Sequence, residues 1–154
     1  MNGGPLQGVR VLDLTRLLPG PVATLHLADM GADVIKIEDH GAGDYARTMG
    51  EGPDKVSVFY RSVNRNKRGL CLDLKQAAGR DVFLRLASDA DIVIESFRPG
   101  VTDKLGIGYD AVRAVNPNGS PLSTAPMNKS DTRTELLAFW YCTLVISVPP
   151  KSMS

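Results

Sequence analysis

The chain has 154 residues, a length typical of one domain, and 43% of them are hydrophobic, which suffices for a buried core. Its formal net charge of +1 gives no strong electrostatic field, which argues against nucleic acid and membrane surfaces as partners. Two cysteines cannot build a disulfide framework, and no apolar run reaches the ~18 residues of a membrane span, so we expect reduced thiols and a cytoplasmic location.

The first forty residues predict a strand, a helix and a second strand. Residues 8–15 form a short apolar strand, and Pro19-Gly20-Pro21 then opens a helix that ends at Gly31. Residues 33–38 form the next apolar strand. A strand, a helix and a strand within about thirty residues indicate a βαβ unit and an α/β fold with a parallel sheet.

The pattern continues to residue 117 and then changes. We expect a long surface loop at 40–54, a helical segment at 56–63, a basic turn at 64–69 and strands at 70–74 and 91–95. Residues 76–88 predict an amphipathic helix, and 101–105 and 109–115 predict two short helices. Residues 118–133 have the composition of a disordered segment, so we divide the chain into a folded region, 1–117, and an irregular tail, 118–154.

The residues that end and follow the fourth predicted strand indicate a ligand-binding site. Apolar residues end at Ser96, Phe97 and Arg98, and Pro99-Gly100 then breaks the chain. Ligands of open α/β sheets bind at the carboxyl ends of the strands. There Arg98 would suit a phosphate and Phe97 a flat ring, although the local pattern alone favours a solvated cation and a core anchor.

Cations follow or precede two of the predicted strands. Arg65, Lys67 and Arg68 precede the third strand and Lys75 follows it, while Arg98 and Lys104 follow the fourth. If these residues gather at one sheet edge, they suit a polyanionic ligand such as a nucleotide phosphate. Charges that merely end strands and solvate loops explain the pattern equally well.

Other chemical signatures are weak. No glycine-rich dinucleotide or P-loop motif follows the first strand, and neither His26 nor His40 has partners at metal-ligand spacing. The start of the first helix, near Leu18 and Pro19, offers free N–H groups to an anion, but an ordinary helix start is the favoured interpretation. We therefore predict no metal site and assign no catalytic residue.

Segments in a fixed order carry a family resemblance. They read QGVRVLDL at 7–14, PGP at 19–21, LADMGADVIKIE at 27–38, GDYAR at 43–47, NRNKR at 64–68, LDLK at 72–75, ESFRPGV at 95–101 and KLG at 104–106. Over residues 6–117 the chain resembles the class III CoA-transferases, a family that includes formyl-CoA and carnitine-CoA transferases and α-methylacyl-CoA racemases.

The resemblance implies a fold and a ligand. The fold is the Rossmann-like βαβ N-terminal part of a large domain, which is followed in relatives by a smaller domain and assembled as interlocked homodimers. CoA or acyl-CoA is a substrate, a carboxylic acid is the other, and no cofactor is bound permanently. The resemblance implies that the nucleotide end of CoA contacts Leu18, Pro19, Leu72, Asp73, Leu74, Lys75, Ser96, Phe97, Arg98 and Lys104. Many relatives carry arginine where this chain has Asp39, and an acid there repels CoA phosphates.

The catalytic residues of the family lie beyond residue 117, and residues 118–154 match none of them. Transferases use an aspartate that attacks the acyl-CoA thioester, whereas racemases use a histidine and an acid to move the α-proton. We therefore expect an inactive N-terminal CoA-binding part of a transferase, whose tail reflects a frameshift, an aberrant gene model or a truncation. The alternatives are a fragment of an α-methylacyl-CoA racemase and a stand-alone CoA- or nucleotide-binding module without catalysis.

Overall fold

The computed structural model describes residues 4–50, 54, 56–117 and 120–122, and its centre is a parallel sheet in the order β3-β2-β1-β4-β5. The strands are β1 (Arg10–Leu14), β2 (Asp33–Glu38), β3 (Arg68–Cys71), β4 (Ile92–Glu95) and β5 (Ser120–Leu122). The helices are α1 (Pro19–Asp29), α2 (Val58–Asn64), α3 (Ala77–Ala87), α4 (Val101–Lys104) and α5 (Tyr109–Val115), and a 3-10 turn lies at Tyr45–Thr48. The α/β fold and the parallel sheet predicted from the sequence are confirmed.

The central strands are apolar because helices cover both of their faces. Leu12 and Leu14 of β1 pack toward Phe83 of α3, whereas Val11 packs on the opposite face with residues of α1. This alternation follows from the two-residue period of a strand. In register, Leu12 lies between Ile35 of β2 and Val93 of β4, so β1 is the middle of the sheet.

Two lysines are buried with carboxylates near the carboxyl end of the sheet. Lys36 of β2 is 2.9 Å from Asp44, and Lys67 is 3.1 Å from Asp13 of β1. Lys67 also donates to the carbonyl of Pro21 at 2.8 Å and to the hydroxyl of Thr24 at 2.7 Å. Burial lowers the pKa of Lys67, and the charge of Asp13 opposes that shift. Buried charges of this kind persist only when they are paired and hydrogen-bonded.

Three local predictions need correction. Residues 40–54 are not simply a surface loop, because they contain a 3-10 turn and because Asp44 and Ala46 are fully buried. The third strand begins at Arg68 and ends at Cys71, two to three residues earlier than expected, which leaves Leu74 and Lys75 in a turn. Residues 120–122 form β5, so the irregular structure predicted there is wrong, and the rest of the tail lies outside the described residues.

The described residues were compared with the requirements of a membrane-spanning helix and of a metal site. None of its helices combines the length and the apolar character needed to cross a bilayer. Within the same residues, no three His, Cys, Asp or Glu side chains come together as a metal site would require.

The buried ion pair generates a stability prediction. We expect Asp44→Ala to lower the free energy of unfolding by about 3–5 kcal/mol, because it leaves the Lys36 charge buried without its partner. Asp54→Ala is the matched control, since the Asp54 carboxylate is 85% exposed in its pair with Arg61 and should contribute only ~0–1 kcal/mol. Urea unfolding followed by circular dichroism measures both, and equal losses would contradict the role given to Asp44.

Candidate functional site

A cleft of about 330 Å³ lies at the carboxyl ends of the strands. Its walls come from the segments that follow β1, β2, β3 and β4, so four loops converge on one place. It is lined by Leu14, Arg16, Ile37, Glu38, Asp39, His40, Gly41, Ala42, Asp73, Leu74, Lys75, Phe97 and Leu105. A concave site at this edge of a parallel sheet is where α/β proteins bind ligands.

Some of the residues predicted for the site line this cleft. Asp73, Leu74 and Lys75 form one wall and Phe97 another. The turn that carries Lys75 is held by Asp73, whose carboxylate accepts from the Lys75 N–H at 3.0 Å. Lys75 is exposed, so its ammonium group is open to solvent and to a ligand.

The other predicted residues lie around the cleft and are not among its lining residues. Leu72 packs against the core beside Phe83, and the Ser96 hydroxyl accepts from the Arg16 N–H at 3.3 Å. The remaining ones are exposed, at the start of α1, after Phe97 and at the end of α4: Leu18, Pro19, Arg98 and Lys104.

Of the two interpretations left open for the cations, a cluster at the cleft does not describe the three that precede β3, since none of them is among the lining residues of either cavity described here. Arg68 opens that strand and binds Asp33, the first residue of β2, with N···O distances of 2.9 and 2.7 Å. Arg65 is paired with Asp29, and Lys67 is buried against Asp13. In a parallel sheet, residues that precede a strand lie at its amino end, opposite the cleft, unless a long side chain reaches across the sheet as Lys67 does.

Arg16 is a cleft residue that our interpretation of the sequence missed. Its guanidinium carbon lies 5.5 Å from the ring centre of Phe97 and 5.6 Å from that of Tyr45, within the range of cation–π contacts. Its Nη2 atom is 3.4 Å from Asp39 Oδ2. The position of Arg16 two residues after β1 was the available signal, because that strand also ends at the carboxyl edge.

The loop that carries Arg16 has a fixed and strained shape. Leu17 has a φ of 67°, a left-handed conformation that is uncommon for a residue with a branched side chain. Its N–H donates to the buried Asp44 carboxylate at 3.0 Å, and the same oxygen accepts from the Ala46 N–H at 2.9 Å. Asp44 therefore joins the loop after β1 to the turn after β2, and strain of this kind is common at functional sites.

Beside the cleft, three side chains form a hydrogen-bonded cluster. Arg47 donates to both carboxylate oxygens of Glu38 at 2.7 Å, and the Tyr60 hydroxyl donates to Glu38 at 2.6 Å. The Arg47 guanidinium also lies 4.1 Å from the Tyr60 ring centre. The cluster borders a second cavity of about 350 Å³ that includes Cys71, an exposed free thiol.

The cluster keeps Glu38 ionised. Burial by itself raises the pKa of Glu38, but hydrogen bonds from Arg47, Tyr60 and the Asp44 N–H outweigh it and hold the pKa at about 2. Burial and the bond to Glu38 raise the pKa of Tyr60, and the bond to Glu38 raises that of Arg47. A carboxylate held in this way is a structural anchor and not a proton donor near neutral pH.

The cleft therefore has groups suited to binding. Lys75 and Arg16 can contact an anion, and Phe97 offers an aromatic face.

The two histidines lie in different parts of the fold: His26 lies exposed on α1, and His40 lines the cleft.

Comparison with known proteins gives a consistent result. The model of CoA-transferase family III matches residues 6–118. The human succinyl-CoA:glutarate CoA-transferase is 44% identical over 120 residues, which are 76% of this chain and 27% of that protein. The acetyl-CoA:oxalate CoA-transferase of Acetobacter aceti is also 44% identical, over 74% of this chain and 29% of that protein. The chain thus spans about a quarter of the length of these curated relatives.

Solved structures agree with the sequence comparison. A CAIB/BAIF family protein from Brucella suis superposes with a TM-score of 0.73 at 37% identity, covering 78% of this chain and 33% of that one. A hypothetical protein from Mycobacterium tuberculosis gives a TM-score of 0.70 at 41% identity, covering 77% and 32% respectively.

The Glu38 cluster predicts an acid-sensitive stability. The pKa of Glu38 is lower in the folded protein than its usual value of 4.5. The ionised Glu38 therefore contributes fully to the free energy of unfolding above pH 4.5, and this contribution is lost as the pH falls toward about 2. We expect Glu38→Gln to be less stable near neutral pH and to lose less stability over this acid range. Urea unfolding at a series of pH values measures the change, and Asp81→Asn, an exposed carboxylate of α3, should follow the parent curve. An unchanged acid dependence in Glu38→Gln would contradict the assignment.

Proposed function

This chain belongs to CoA-transferase family III, and we propose from that premise that its cleft binds the nucleotide end of CoA or of an acyl-CoA. The observation that carries the proposal is the convergence of Lys75, Phe97 and Arg16 on one cleft at the carboxyl edge of the sheet. A phosphate requires cations and an adenine ring requires a flat apolar face, and these residues supply both.

Each wall of the cleft has a different task in this proposal. Lys75 contacts a phosphate as a mobile point charge, since its side chain is exposed and the turn beneath it is fixed. Phe97 stacks on the adenine from the opposite wall. The Arg16 guanidinium, whose carbon lies 5.5 Å from the Phe97 ring centre, adds a positive charge beside that ring.

The proposed site also extends outside the cleft. Arg98 directly follows Phe97 and is exposed, so it is free to contact a phosphate that projects from the cleft. In the same proposal Lys104 contacts a phosphate from the end of α4, and Leu18 and Pro19 contact the ligand from the start of α1. Leu72 and Ser96 act indirectly, since Leu72 packs against the core cluster that contains Phe83 and the Ser96 hydroxyl accepts from the Arg16 N–H.

For the whole protein we propose a CoA-transferase, which moves CoA from an acyl-CoA to a carboxylic acid without a permanently bound cofactor. The relatives described above carry transferase names, and this favours a transferase over an α-methylacyl-CoA racemase. We further propose the cytoplasm as its location and a homodimer as its assembly. The exposed free thiol of Cys71 is compatible with a reducing compartment.

The binding proposal predicts a graded effect of three arginine and lysine substitutions. Lys75→Ala should weaken CoA binding about tenfold or more, because a charge-assisted hydrogen bond contributes roughly 1.5–3 kcal/mol. Arg98→Ala should weaken it less, since Arg98 does not line the cleft. Arg85→Ala, an exposed cation near the far end of α3, is the control and should bind like the parent. Isothermal titration calorimetry measures all three, and equal affinities in Lys75→Ala and the parent would remove Lys75 from the site.

The proposal separates binding from catalysis. We expect the purified 154-residue chain to bind CoA but to transfer none between succinate and glutarate, because the family match ends at residue 118 and the chain spans about a quarter of the length of its relatives. Chromatography of the acyl-CoA products after incubation with succinyl-CoA and glutarate tests this. Formation of glutaryl-CoA would contradict it and would show that the reacting groups lie within this chain.

A further inference from the structure

Arg16 reaches the cleft from a loop whose backbone is bound by a buried carboxylate on each side. Before Arg16, the Thr15 N–H donates to Asp13 Oδ1 at 2.9 Å. After it, the Leu17 N–H donates to Asp44 Oδ1 at 3.0 Å. Both carboxylates are buried, whereas Arg16 lines the cleft. The position of the Arg16 backbone therefore depends on two acids that do not themselves line the cleft.

Each of these carboxylates is neutralised by a buried lysine. Lys36 of β2 is the partner of Asp44, and Lys67 is the partner of Asp13. The side chains of Lys67 and Asp13 are 1% and 0% exposed. Removal of one partner from such a pair leaves a buried charge without compensation, so the remaining group has to move or gain water. The Thr15 contact of Asp13 therefore depends on Lys67, which lies about fifty positions further along the chain.

The Lys67 ammonium group is held by oxygens from three elements of the fold. Its Nζ atom lies 2.7–3.1 Å from Asp13 Oδ2 of β1, Pro21 O and Thr24 Oγ1 of α1, and Asn64 Oδ1 of α2. The Thr24 hydroxyl also donates to Asp13 Oδ2 at 2.6 Å. Because Oδ2 is bound in this way, Oδ1 is directed to Thr15. The orientation of the carboxylate is thus set from outside the loop that it anchors.

Lys67 has no direct path to a ligand in the cleft. It is not a lining residue there, and the oxygens around its ammonium group all belong to the protein. Its neighbour Arg68 also forms an ion pair, but with Asp33, where both side chains are partly exposed. Arg68 therefore offers a matched comparison from the same basic segment, with no connection to Asp13 or to the loop of Arg16 among its printed contacts.

We propose that Lys67 and Asp13 are positioning residues for Arg16. Lys67 neutralises and orients the buried Asp13 carboxylate, and Asp13 holds the backbone from which Arg16 reaches an anionic group of the ligand. The inference deepens the proposed function and rests on it, since it concerns how the same cleft binds CoA. It gives Lys67 a role in ligand affinity that is separate from its contribution to stability.

A double-mutant cycle tests whether Lys67 acts through Arg16. Calorimetric titration of the full chain with CoA should show binding weakened about tenfold in Arg16→Ala, which removes a charge-assisted contact, and about fivefold in Lys67→Met. The variant with both substitutions should bind no more weakly than Arg16→Ala alone, because the positioning of an absent side chain has no effect. Arg68→Met, which breaks a partly exposed ion pair, is the control and should bind like the parent.

A second pair of variants removes the buried charges altogether, so that neither leaves an unpaired ion in the core. Asp13→Asn/Lys67→Met retains an oxygen that can accept from the Thr15 N–H, and should bind CoA within about twofold of the parent. Asp13→Ala/Lys67→Met lacks that acceptor and should bind as weakly as Arg16→Ala. A role confined to stability predicts equal affinities for these two variants.

The outcomes separate this inference from the proposed function. If Lys67→Met binds CoA like the parent, if its effect adds to that of Arg16→Ala, or if the two neutral variants bind equally, the positioning role is wrong and the CoA site stands. If Arg16→Ala binds like the parent, the inference fails while the contacts of Lys75 and Phe97 remain. If the parent binds no CoA, the proposed function fails and the inference fails with it.

Discussion

The Asp44 carboxylate is the contact on which the shape of the cleft depends. It is fully buried, and it neutralises Lys36 of β2 while accepting from the backbone of Leu17 and of Ala46. A buried carboxylate with these partners is held in place by the cost of leaving any of them unpaired. The Asp44 carboxylate thus fixes both the loop after β1, which contains Arg16, and the turn at Tyr45–Thr48 that follows β2.

This construction separates support from binding. Glu38 and Asp44 are buried and satisfied by neighbouring groups, whereas Lys75 and Asp39 are left partly or fully exposed at the surface of the cleft. Groups that are held by several protein hydrogen bonds position the wall, and groups with free capacity contact the ligand. The charge of the binding groups can therefore change between relatives without a change in the scaffold beneath them.

Much of the fold could be predicted from the sequence because its strands are apolar runs and its helices begin and end at clear signals. β2 was predicted at its observed bounds, and Lys75 and Phe97 were correctly expected near the carboxyl edge. The failures concern buried polar residues. Lys67 sits in a basic, turn-like stretch, and nothing in the local pattern shows that Asp13 lies opposite it across the sheet.

Loop residues were equally hard to predict. Asp44 and Tyr45 belong to a glycine-rich segment with no periodicity, and their role depends on contacts with Leu17 and Arg16 from another part of the chain. Arg16 was missed because a single arginine in a short loop forms no recognisable motif, although β1 ends at the same edge as β4. Contacts between loops are set by the sheet order, which local patterns determine only in part.

The central position of β1 also constrains how this sheet assembles during synthesis. On one side β1 pairs with β2, with Arg10 and Asp33 separated by 23 positions, and on the other it faces β4, with Arg10 and Asp91 separated by 81. Because the nearer pairing closes the shorter segment, we expect it to form first during synthesis, whereas the other edge of β1 stays unpaired until β4 is made. During that interval the nascent chain exposes an unpaired strand edge. We expect it to be most prone to aggregation, and most dependent on chaperones, at this stage.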